Sequence, residues 1–203
     1  MKRIHYISGI TISIFIILHL TNHLYIYFGV ERHIEIMDSL RILYRNVIAE
    51  IILICAILIQ IITGIKLFVK KRKVANSFFE KLQIWSGLYL AIFFVFHLGA
   101  VFTGRLLLNL DTNIYFGIAG LNTFPLALFF IPYYGLAILS FFGHLSAIHS
   151  IKMKNNILNT NPIQQAYLIF ISGILLSLIT IYGLTNGFKG IEIPKEYQIM
   201  IGK

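Results

Sequence analysis

The sequence predicts an all-α integral membrane protein, an up-and-down bundle of five transmembrane helices. Three observations predict it. Of 203 residues, 58% are hydrophobic and only 12% are charged, far from the balance of a soluble domain. Five apolar runs, at about 4–27, 48–69, 83–104, 124–150 and 163–187, each reach the roughly 20 residues that a bilayer core of ~30 Å requires. The basic residues collect on alternate connections between these runs. No long polar region remains, so residues 1–203 read as a single transmembrane domain without a catalytic head.

The first run follows only Lys2 and Arg3 and shows no small-residue cleavage site. It reads as a retained helix, although a signal peptide begins similarly. The 29–46 connection reads as amphipathic, with Ile34, Met37, Leu40 and Ile42/Leu43 at helical spacing. Cys55, the single cysteine, lies inside the second run and reads as a small packing residue. Leu110-Asp111-Thr112-Asn113, after the third run, is a polar turn suited to capping a short helix. Pro125 and Pro132 fall near the start of the fourth run, where proline costs least. Asn161-Pro162 opens the fifth.

Lys66, Lys70, Lys71, Arg72, Lys73 and Lys81 stand against Glu80 in the connection between runs two and three. Lys2, Arg3, Lys152 and Lys154 fall on the same side of a five-helix topology. The expected orientation therefore has a cytoplasmic N-terminus and an outside C-terminus. The net charge of +9 is then a topology signal and not a nucleic-acid signal. The cluster at 70–73 suits anchoring to anionic lipid as well as docking of a partner.

One phrase occurs twice. Ser8-Gly9 precedes His19-Leu20, and Ser86-Gly87 precedes His97-Leu98, with the same spacing. Eleven residues separate each serine from its histidine, close to three helical turns, so the two share a face about 16 Å apart in depth. Gly9 and Gly87 lie beside that face, where a small residue lets a flat macrocycle or a neighbouring helix approach. Helix packing alone explains the Ser-Gly pairs equally well.

Ionisable residues inside a span are expensive and point to function. His19 and His97 fall at nearly one depth on two parallel helices, and bis-imidazole ligation of a b-type haem joins such a pair. A hydrogen-bonded pair within the bundle is the bland alternative. Zn or Cu held by His19, His23 and His97 is another, weakened by the lack of a nearby carboxylate or thiol. His23 is one turn from His19, a candidate for haem-edge contact or for alternative ligation. Arg105, two turns beyond His97, is a candidate partner for a haem propionate. His144 matches Gln60 in depth, and an amide is a poor iron ligand. His144 is thus free to hydrogen-bond Gln60, bind a quinone or find another partner. His5 and His149 read as solvated interface residues, and His33 has no assigned role.

At this point the chain resembles a known family. Five spans, with histidines in the first, third and fourth, look like the single-chain cytochrome b subunit of succinate dehydrogenases and fumarate reductases. The resemblance covers nearly the whole chain. It is carried by Leu82-Gln83 through His97, by Gln60-x3-Gly64 and by Leu139-Ser140 through His144. It implies that His19 and His97 are the outer-haem ligands and that His144 occupies one inner-haem position. Gln60 stands at the other and departs from the di-haem pattern, leaving a degenerate inner haem or quinone site. The resemblance further implies one haem b, a quinone as substrate, and a flavoprotein and an iron–sulfur subunit, or another redox protein, as partners in a prokaryotic cytoplasmic membrane. A haem-free scaffold or assembly protein derived from that family is the competing expectation.

Overall fold

The computed structural model describes residues 2–202, which stand for the domain expected over 1–203. Local signals explain where each helix starts. α1 covers Lys2–Leu24 and runs on through a 3-10 turn, Tyr25–Phe28, before α2, Val30–Tyr44. Asn46 caps α3, Val47–Lys71, its side chain accepting from the Ala49 amide at 3.0 Å. Ser77 and Glu80 form a reciprocal capping box at α4, Phe78–Phe102. That box carries the helix five residues ahead of the apolar run expected from 83, through the polar Glu80 and Lys81.

α4 continues into a π-helical turn, Thr103–Leu107, and Asn113 then caps the short α5, Ile114–Ile118. α6 covers Ala127–Lys152, so the expected span from 124 loses its first residues to the turn around Pro125. Asn161 and Gln164 form a second capping box, with Pro162 in the first turn of α7, Pro162–Leu184. α7 stops short of 187 because Asn186 and Gly187 adopt left-handed φ values of 50° and 64°. The Gly187 amide then bonds back to the Tyr182 carbonyl at 2.8 Å. A closing 3-10 segment covers Lys195–Ile201.

α1, α3, α4, α6 and α7 are the five helices long and apolar enough to cross a membrane. They make this chain an all-α, multi-pass membrane protein. Each packs on its neighbour in sequence, and α7 touches α1 to close the ring. The tightest approach joins α6 to α7. A Cβ on Gly173 would stand 2.2 Å from the Phe142 Cβ, so only glycine fits there. Large apolar side chains such as Ile14, Ile17, Ile51, Val95 and Leu178 remain exposed on the outside of the ring, which suits contact with lipid.

α2 and α5 cover one end of the ring, the end opposite the N-terminus. The inward stripe of α2 is His33, Met37, Arg41 and Tyr44. Ile42 and Leu43, expected to share it, are 77% and 62% exposed, because they fall on the other side of the same turn. α5 lies close over the π-helical turn that follows α4, since Gly104 has no side chain to meet the Phe116 ring. Ile26, Ile114, Ile118, Leu121, Ile181 and Leu184 form the apolar core beneath this cover.

Candidate functional site

α1 and α4 are held apart by α3, and the gap between them opens into a cavity of about 300 Å³. That is the lower end of the usual small-molecule range, ~300–1,000 Å³. His19 and His97 face across it, their ring centroids 6.4 Å apart and their planes at 68°. Phe15 stacks on His19 and Phe93 on His97, which fixes both rings. Tyr134 of α6 meets His97 edge-on at 6.2 Å.

His19 does not stand alone. Its Nε2 lies 3.1 Å from His23 Nε2, and His23 Nδ1 lies 3.2 Å from His33 Nε2. Asn22 Nδ2 lies 3.2 Å from the same His33 nitrogen. His33 on α2 thus belongs to the site, although its position in the chain suggested no role. It is 1% exposed. Burial, reinforced by His19 and Arg41, pushes its pKa down to about 4. Its signal in the sequence was the four-residue step to Met37 on the apolar stripe of α2.

Arginines and carboxylates pair at the rim. Arg41 binds both oxygens of Asp111 at 3.1 and 2.8 Å and also reaches Asp38 at 3.0 Å. Arg45 stands 3.7 Å from Asp111. Arg105, expected beside a haem propionate, donates to Glu50 of α3. All of these except Asp38 and Asp111 line the cavity.

The Ser-Gly pairs are elsewhere. Ser8, Gly9, Ser86 and Gly87, candidates for haem contact, do not line the cavity, and neither do Gln60 and His144. Each pair cradles a polar side chain of another span. Gln60 Nε2 donates to the His5 carbonyl and to Ser8 Oγ, the latter at 2.9 Å. His144 Nδ1 bonds the Gln83 carbonyl at 3.0 Å and lies 3.3 Å from Ser86 Oγ. His5 precedes Ser8 by three residues, and Gln83 precedes Ser86 by three, so the two cradles are built alike. A Cβ on Gly9 would stand 3.1 Å from Gln60 Nε2, and one on Gly87 would stand 3.1 Å from His144 Cε1. The small residues admit a neighbouring side chain at the lower level, about 16 Å from the His19–His97 level. Of the three options open to His144, a hydrogen bond to Gln60 is not formed, because each side chain is held in its own cradle.

His5 and His149, read as solvated, also have protein partners. His5 Nδ1 meets Thr63 Oγ1, and His149 Nε2 meets Gln165 Oε1, both at 2.7 Å.

A haem bound by two imidazoles fits the cavity residues in two respects. Two metal–nitrogen bonds of about 2 Å each, plus the depth of each ring, span about 6 Å, which matches the His19–His97 separation. His97 has no hydrogen-bond partner among the described residues, so its nitrogens are free to ligate. His19 must give up its bond to His23. Among the described residues no group of three His, Cys, Asp or Glu side chains is arranged to hold a bare metal ion. Comparison with protein-family models, with curated proteins and with solved structures finds no match to this chain.

Proposed function

We propose that this chain binds one b-type haem between His19 and His97 and exchanges electrons with a quinone. The observation that carries the reading is the pair of imidazoles from two non-adjacent spans, 6.4 Å apart over a cavity. When bound, the haem supplies a one-electron carrier inside the bilayer. His19 and His97 are the residues that would hold the iron. Phe15 and Phe93 stack on their rings, and most of the remaining lining is apolar. Arg41, Arg45 and Arg105 are the cations lining the cavity and would balance the charge of the propionates.

A single haem is the expected complement. Gln60 and His144 are each held in a cradle of the neighbouring helix, and Gln60 offers no imidazole. In this reading the protein is a divergent relative of the cytochrome b subunits of succinate dehydrogenase and fumarate reductase. It sits in a prokaryotic cytoplasmic membrane with its basic N-terminal face toward the cytoplasm. Its electron partner is an iron–sulfur and flavoprotein pair or another redox protein docking at that face.

The test is the redox spectrum of the purified full chain. Reduced b-type bands are expected at one haem per chain, lost in His97→Ala and His19→Ala and kept in His144→Ala. A wild-type protein that folds, copurifies with other membrane subunits and shows no such bands overturns this reading in favour of a haem-free scaffold.

A further inference from the structure

The His19–His97 cavity has a neighbour on the outside of the ring. A groove of about 240 Å³ runs between α1 and α3, with Thr11 to Leu18 on one bank and Ala49 to Leu53 on the other, joined by Leu43 and Tyr44 of α2. Both banks lie inside spans. Ile14 and Ile52 on them are exposed on the same outer surface as Ile17 and Ile51. The groove therefore opens on lipid.

Phe15, Tyr44 and Leu53 line both the groove and the cavity, so one layer of side chains separates the two spaces. Phe15 is the centre of that layer. Its ring stacks on His19 of the cavity, centroids 5.6 Å apart, and meets the Tyr44 ring edge-on at 5.1 Å. Joining the spaces takes a rotamer change at one or two side chains and no parting of helices.

The two spaces differ in what they offer a ligand. In the groove, the Thr11 hydroxyl already donates to the Ile7 carbonyl at 3.3 Å, and Tyr44 belongs to the shared wall. In the cavity, Asn22 Oδ1, His33 Nδ1 and Thr180 Oγ1 are without a partner among the described residues. The groove thus has little to hold a polar group with, and the cavity has much. That is the difference between a passage and a destination. A molecule arriving from water meets the ion pairs of Arg41 and Asp111 at the rim, whereas one arriving from the bilayer meets two aromatic rings.

We propose that the groove is the lateral mouth of the cavity: apolar molecules dissolved in the bilayer enter between α1 and α3 when Phe15 and Tyr44 part. The route is independent of what the cavity finally holds, haem included.

A thiol on the far wall tests it in the full chain reconstituted into phospholipid vesicles. Cys55→Ala removes the native thiol, and Ala137→Cys places one on α6, at a buried position lining the cavity. His97→Ala throughout keeps the cavity free of haem. Phenylmaleimide, which dissolves in the bilayer, is compared with a charged sulfonatoethyl thiosulfonate, which does not. Phe15→Ala is expected to raise the phenylmaleimide rate about tenfold, the full worth of one aromatic pair, and to leave the charged reagent unchanged. Ala49→Phe, which plugs the groove from α3, is expected to cancel that gain. Should Phe15→Ala not fold, Tyr44→Leu thins the same wall from α2 and is expected to divide the two reagents in the same way. Equal acceleration of both reagents, acceleration of neither, or a gain that survives Ala49→Phe overturns the proposal. So does an equal gain from Glu50→Gln, which breaks the tie between α3 and Arg105 and would put the mouth between α3 and α4. The wild-type spectrum judges the haem reading separately. A chain without b-type bands whose variants divide the reagents keeps the mouth and loses the electron-transfer reading; a chain with bands whose variants do not divide them does the reverse.

Discussion

Two levels of the bundle carry the same kinds of side chain and use them differently. Around Gln60 and His144, donors are spent on the neighbouring helix, each on a backbone carbonyl and a serine hydroxyl. Around His19 and His97, the helices part, one histidine has no partner among the described residues, and three further polar atoms go unmatched. The lower level closes the protein on itself; the upper level leaves chemistry unfinished. A buried histidine by itself therefore says little about where a ligand goes. What separates the two levels is whether its hydrogen bonds are already made within the chain.

The largest effect that would break this contrast is on ligand binding. His97→Ala should remove the b-type spectrum completely, while His144→Ala should retain it at wild-type stoichiometry, as read from reduced-minus-oxidised spectra. Equal loss in both variants would mean that the lower level also holds iron. Next comes pH. His33 has an ordinary value of 6.5 and a folded value of about 4, so the unfolded chain takes up a proton that the folded chain refuses. The His33 contribution to stability should therefore fall as pH drops from about 6.5, by about 3 kcal/mol, and be spent below about 4. Thermal midpoints of the solubilised protein should show this slope, and His33→Gln should lessen it by the His33 share.

Gly87→Ala sharpens the contrast from the other side. The added methyl group would stand 3.1 Å from His144 Cε1 and 3.3 Å from Nδ1, pressing on a ring already fixed by hydrogen bonds. A loss of about 1–3 kcal/mol in stability is expected, with the haem spectrum unmoved. The smallest effect is Asn161→Ala, which removes the α7 cap far from both levels. It should cost about 1 kcal/mol and change neither ligand binding nor spectrum.

The spans were legible because apolar length is a strong signal, and three of their starts follow from Asn46, Ser77 and Asn161 as caps. The depths of His19, His97, Gln60 and His144 were legible too, since rise per residue is fixed. Which neighbour each face meets was not. Periodicity places Ser8 and His19 on one side of α1. It cannot say that Ser8 receives a side chain of α3 while His19 faces a cavity. His33 was missed for the same reason. Its place on the stripe of α2 was readable, and the folding of α2 over the ring was not.

The two cradles have a consequence in the genetic code. Glutamine and histidine codons share their first two bases and differ only in the third. Gln60 and His144 each rest on a carbonyl and a serine arranged alike, behind a glycine that leaves just enough room. One transversion therefore exchanges an amide for an imidazole, and each cradle offers the same two kinds of partner, a carbonyl and a serine hydroxyl. The occupants of the two cradles therefore stand a single mutational step apart, in either direction.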